Sequence, residues 1–203
     1  DSLGNNALSY TEMGSNFMVS PEMTTTYYAA TASDMLTATG NFELSTPAHG
    51  DLYGLGSFFD VQAGASTLKI GSLVVTTVNA GEYPVYVYYK SSSCEGNTSI
   101  ATDWIFAGSY SYSMTANTPL EITLNTPIEV PAHQTYSLYV STDASIYYNN
   151  GTEFGNTVAS QRFMTIREGY GVPNDPEKIA GNFYGNLNNR AFCGTIKYEL
   201  NDE

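Results

Sequence analysis

Few side chains in this sequence are placed for covalent chemistry, and each has a competing structural use. The two histidines, His49 in "TPAHGD" and His133 in "VPAHQT", both sit among turn residues. Neither stands at metal-ligand spacing from another histidine or cysteine. No Gly-x-Ser-x-Gly elbow is present to raise a nucleophilic serine. Glycoside hydrolysis on a sandwich needs two facing carboxylates. The available acids are Asp60, Glu82, Asp103, Glu121, Glu153 and Glu168, most of them at strand ends or on polar faces. The loop "YGVPNDPEK" (Tyr170 to Lys178) gathers Asn174, Asp175 and Glu177, and clustered oxygens suit Ca²⁺. The twelve-residue calcium-loop pattern is absent there, and a solvated proline-rich turn is the competing reading. The expectation is therefore a non-enzyme, with calcium at Asn174–Glu177 as the one cofactor to test.

Cys94 and Cys193 are the two cysteines. In an oxidising compartment they could form one bridge across a loop of about 100 residues; otherwise they are two separate buried thiols. Two acceptor triplets for N-glycosylation occur, Asn97-Thr98-Ser99 and Asn150-Gly151-Thr152, both in expected loops. The 17 tyrosines stand out more than any of these. In "EYPVYVYYK" (Glu82 to Lys90), strand alternation puts Val85, Val87 and Tyr89 on one face and Tyr86, Tyr88 and Lys90 on the other. The first face can enter a core. The Tyr86/Tyr88 face then needs cover from an N-terminal arm, a neighbouring subunit or a stacked sugar.

The elements that must hold these residues are strands. "WIFAGSYSYSM" alternates Trp104, Phe106, Tyr110, Tyr112 and Met114 against small residues. "LEITLN", "TYSLYVS", "RFMTIRE" and "AFCGTIKYEL" alternate likewise, and each run is bounded by Gly, Pro, Asn or Asp. Nine to eleven such runs, and no sustained helical period, predict an all-β fold: an antiparallel β-sandwich or jelly roll over residues 36–203. The Asn-Gly pair in "YNNGTEFGN" is a hairpin signal.

Residues 1–35 differ. They are rich in Ser, Thr and Asn, with Leu8, Tyr10, Phe17 and Val19 as the main apolar groups. They read as a first strand with a frayed tail, or as an extended arm that docks on a neighbouring subunit. The chain opens at Asp1 with no charged-then-apolar leader, as a processed mature chain or a trimmed one would.

Only 13% of residues are charged, while hydrophobic residues make up 42%, a balance that favours a secreted or surface protein. Net charge is −13, and no Lys/Arg cluster interrupts it, which sets nucleic acid aside as a partner. No run of 18 apolar residues is present to insert into a membrane as a helix.

From "VYVYYK" (85–90) onward the chain resembles a secreted β-sandwich module found in many bacterial surface and extracellular proteins, with algal relatives. "DWIFAG" (103–108), "TPLEITL" (118–124), "IEVPAHQTYSLYV" (128–140), "YYNNGT" (147–152), "IREGYG" (166–171) and "RAFCGTIKYEL" (190–200) carry the likeness, which covers about residues 53–200. The resemblance implies an extracellular, non-catalytic module. Its closing strand has Arg-x-Trp-Asn-Gly where this chain has Arg190, Ala191, Phe192, Cys193 and Gly194. A cysteine in the asparagine place fits a gained bridge to Cys94. The functional expectation is a structural subunit that assembles with itself into a filament, pilus-like fibre or surface layer, by adding its N-terminal strand to a neighbour. The alternative is a carbohydrate-binding or adhesive module acting through exposed tyrosines.

Overall fold

The computed structural model describes residues 40–201. Eleven strands form: β1 (Asn41–Ser45), β2 (Leu52–Ala63), β3 (Thr67–Thr76), β4 (Gly81–Lys90), β5 (Ile105–Met114), β6 (Pro119–Val130), β7 (Thr135–Asn150), β8 (Thr157–Ser160), β9 (Met164–Pro173), β10 (Asn188–Phe192) and β11 (Thr195–Asn201). The described residues belong to one compact unit. The arm residues Leu8, Tyr10, Phe17 and Val19 lie outside the described residues.

Four strands make one sheet in the order β1-β11-β3-β6, and the larger sheet runs β10-β9-β2-β7-β4-β5, with β8 on β9. The paths β1-β11-β3-β6 and β2-β7-β4-β5 are the two facing sheets of a jelly roll, two nested Greek keys. The segment β8–β10 is inserted before the last strand and widens the second sheet beyond β2. All named pairings are antiparallel. The "LTATGNFELSTPAHGDL" stretch contributes β1, an edge strand.

Alternation fills the space between the sheets. Val85 and Val87 from β4, Leu138 and Val140 from β7, Ile122 and Leu124 from β6, and Ile196 and Tyr198 from β11 all enter one core with Phe59, Leu68, Ile70 and Leu73. These are the inward sets that period-two reading expects.

Two local features depart from that reading. Between β4 and β5 the register shifts: Val87 faces Gly108, but Tyr88 faces Phe106. Ala107 is the extra residue of a bulge, and a bulge reverses the alternation beyond it. Met114, Tyr112 and Tyr110 therefore pack on the main core, while Trp104 and Phe106 belong to the opposite face of the sheet. The Asn150-Gly151 pair closes no two-residue hairpin. β8 pairs with β9 rather than β7, and the Gly151 N–H donates to the Asn189 carbonyl.

Candidate functional site

The outer face of the seven-stranded sheet carries a second, aromatic core. Phe58 stacks on Tyr139 with ring centres 3.8 Å apart, and Trp104 meets Phe58 edge-on at 5.3 Å. Leu55, Cys94 and Val172 complete its buried part, and Tyr88, Tyr170, Phe183 and Tyr184 pack around it. The β9–β10 connection folds over this face. Its Phe183 ring lies 5.1 Å from Tyr88, and the Tyr139 hydroxyl donates to the Asn182 carbonyl. Gly181, at φ +80°, passes so close that a Cβ there would sit 3.0 Å from the Tyr86 ring. The β9–β10 connection thus supplies part of the cover expected from an arm, a neighbour or a sugar, and leaves Tyr86 and Tyr88 half-buried.

The cysteines are not bridged; both are buried free thiols. The Cys94 N–H donates to the Asp60 carboxylate, which also accepts from the Ser137 hydroxyl. Cys193 lies beside Asn149. Ser137 and Asn149 are twelve positions apart on β7, on the order of 30–40 Å by strand rise. A disulfide needs Cα atoms within about 7 Å, so the expected bridge has no geometry to form. Burial pushes the Cys193 thiol up to about 11 and raises Cys94 well above the usual thiol range, the latter helped by the Asp60 charge. Both are structural thiols with little thiolate to react.

Four of the six candidate acids, Asp60, Asp103, Glu121 and Glu168, are likewise engaged. Asp60 anchors the 91–95 loop as above. Asp103 pairs with Lys90 at 3.3 Å. Glu168 accepts from the Thr152 N–H and hydroxyl and from the Glu153 N–H, holding the loop after β7. Asp175 accepts from the N–H of Glu177, which closes a turn within the expected calcium loop. No cluster of three or more His, Cys, Asp or Glu suited to a metal occurs among the described residues. Glu82 and Glu153 are exposed, as are His49 and His133, with His49 against Tyr147 at 5.0 Å. Of the glycan acceptors, Asn150 is exposed; Asn97 is half-buried and its amide donates to the Glu95 carbonyl.

The outer face of the four-stranded sheet has a groove of about 570 Å³ around Gly71. The β3–β6 register slips there, so that Leu124–Pro127 bow out opposite Gly71. Its polar groups bond one another. Glu121 takes the Ser72 hydroxyl and the Lys197 ammonium, and Lys197 and then Ser72 hold its carboxyl below the usual range.

The remaining surface is the flank where β5 and β6 end their sheets. The Asn125 N–H donates to the Tyr110 hydroxyl across it, at 3.2 Å. The edges of this molecule are protected unequally. β1 and β8 are 5 and 4 residues long, and β6 carries Pro119, Pro127, Glu121 and Glu129. Short length, proline and charge are the usual guards of a sheet edge. β5, "IFAGSYSYSM", is ten residues with no charge and no proline, and only the Ala107 bulge interrupts it. Among the described residues β5 pairs with β4 alone, leaving its other edge open. Ile105 and Phe106 are 51% and 53% exposed there, although both side chains are of types usually buried. The sequence reading missed this edge, although the missing charges were in plain view; that β5 ends its sheet was not.

No protein-family model matches the chain, and no curated protein matches it. Among solved structures it is similar to a chain of the infectious bursal disease virus Gx strain, at 14% identity and a TM-score of 0.24. That match covers 80% of this chain and 37% of the other, so this chain spans well under half of the viral one. Among the described residues no helix is long and apolar enough to cross a membrane.

Proposed function

We propose that this chain is a non-catalytic structural subunit that assembles with copies of itself outside the cell, through strand addition at β5. The observation that carries the reading is the unguarded β5 edge with Ile105 and Phe106 exposed on it. An added strand gains main-chain hydrogen bonds along ten residues and apolar contact at one end. The occupant is the N-terminal segment of a neighbouring copy. The 39 residues before Gly40 reach up to about 130 Å when extended, and their short apolar set Leu8, Tyr10, Phe17 and Val19 suits a half-exposed strand.

The direction of assembly follows from where the chain enters. β1 ends the four-stranded sheet at the side away from β6, and Phe42 there touches Phe163 at 5.3 Å. Acceptor edge β5 lies on the β6 side. A donor segment and an acceptor edge that are different surfaces make a heterologous, head-to-tail contact, which propagates into a fibre wherever its rotation does not close a ring. The low charged fraction favours close packing of copies, and the extracellular setting rests on composition and the two glycan triplets.

The test places lysines on the edge. In sedimentation velocity, Phe106→Lys with Ser111→Lys is expected to be a folded monomer under conditions where the parent forms large species. Deleting residues 1–22 is expected to do the same. Large species that persist in both variants, or a parent that stays monomeric at every concentration, contradict the reading.

A further inference from the structure

Beside the β5 edge a cleft of about 580 Å³ opens between the two sheets, a size usual for small-molecule sites of about 300–1,000 Å³. The seven-stranded sheet supplies Tyr89, Tyr136 and Ser91; the four-stranded sheet supplies Lys69, Glu129 and Thr126. We infer that this cleft, which borders the β5 edge at Ile105, is a binding site for a neutral glycan chain, distinct from the covered Tyr86/Tyr88 face.

Three observations carry the inference. Tyr89 and Tyr136 stand parallel, 7° apart in plane and 6.5 Å between ring centres, each half-buried against the main core. The backs of the rings are fixed by packing, so they offer a rigid aromatic surface to the C–H face of a pyranose at little entropic cost.

The second observation concerns the polar groups. The hydroxyls of Tyr89, Tyr136, Ser91 and Thr126 make no side-chain hydrogen bond to any described residue. Lys69 and Glu129 face each other loosely, at 3.7 Å. The neighbouring groove is the contrast, because Ser72, Glu121 and Lys197 there already bond one another. A cleft with rigid rings and several uncommitted donors and acceptors matches a ligand that presents many hydroxyls and no charge. Lys69 and Glu129 cancel locally, and the net charge of −13 disfavours sulfated or uronic chains.

Third, the cleft is not a closed pocket. It shares Lys69 and Pro127 with the groove around Gly71, so a track runs from the ring pair round the β6 bulge onto the outer sheet face. A chain longer than one sugar can follow it.

The test is titration calorimetry and affinity electrophoresis of the full chain with β-glucan, mannan and xylan oligosaccharides, and with a sulfated galactan as the anionic probe. Binding by at least one neutral chain is expected, with Kd of about 0.1–1 mM, as befits an open, shallow cleft. Tyr89→Leu, which keeps apolar packing, is expected to weaken it about tenfold or more, and Thr126→Val with Lys69→Met about threefold. Tyr83→Leu, on the same strand but outside the cleft, should leave it unchanged. The Phe106→Lys/Ser111→Lys variant should also bind as the parent does, which separates this site from the assembly edge. No neutral chain binding at about 10 mM, binding of the sulfated probe alone, or binding that Tyr89→Leu and Thr126→Val/Lys69→Met both leave intact would overturn the assignment.

Discussion

Replacing Phe58 by alanine is expected to lower stability by about 3–5 kcal/mol, and the midpoint of thermal unfolding by about 10–15 °C. Phe58 is fully buried, yet it lies outside the core between the sheets. It stacks on Tyr139 and meets Trp104 and Phe183, so truncation removes one side of three ring contacts at once. The space left sits under the β9–β10 connection. That connection is held to the sheet by the Tyr139–Asn182 hydrogen bond, the Ala180 N–H to Asp143 and the Gly181 N–H to Ser141. Denaturant unfolding with far- and near-ultraviolet dichroism measures the loss. A cost below about 1 kcal/mol would mean that the aromatic face is not a core and that the connection does not cover it.

The second large effect is with alkali. Cys193 titrates at about 11 in the folded chain, and burial also raises Cys94 and Tyr139. Each is neutral when protonated, and each has a folded pKa above its unfolded one. Below the unfolded thiol value of about 9 both states hold the proton, and the contribution to stability is complete. Above it the unfolded chain releases protons that the folded chain keeps, so stability falls as pH rises from about 9 through 11. The urea midpoint should change little between about pH 7.5 and 8.5 and drop by about 1–2 M by pH 10.5. Cys193→Ala should make that slope shallower, with Cys94 keeping the rest. A midpoint that stays flat to pH 10.5 would show that these groups do not sit in the surroundings described.

The sequence made the strands legible because period-two alternation is a local property. Val85 and Val87 share an alternating face, as do Leu138 and Val140 in "TYSLYVS" and Ile196 and Tyr198 in "AFCGTIKYEL", and all are in the main core. What alternation does not register is a single inserted residue. Ala107 moves Trp104 and Phe106 off the face that Met114 keeps, and nothing in "WIFAGSYSYSM" marks it beyond the glycine that follows. The cover on Tyr86 and Tyr88 was illegible for a different reason. It comes from Gly181 and Phe183, about a hundred residues along the chain, and those residues look like a loop by composition. The surplus of tyrosine was legible, but the arm, neighbour or sugar expected to cover it did not include the β9–β10 connection that packs there. The thiols repeat the point: Cys94 lies in the loop after β4 and Cys193 between β10 and β11, at opposite ends of β7, and spacing in sequence cannot show that. The β5 edge and the Tyr89/Tyr136 pair needed the sheet order before either could be recognised.

The reading as an assembling subunit comes down to the amides of β5. Hydrogen–deuterium exchange, resolved by peptide and run from dilute to concentrated protein, reports on them directly. The account predicts that peptides spanning Ile105–Met114 gain protection with concentration, together with peptides from residues 1–22, while β6 and the two cores stay as they were. Fast exchange in β5 at every concentration, while larger species are visible in solution, would place the contact elsewhere and contradict the account.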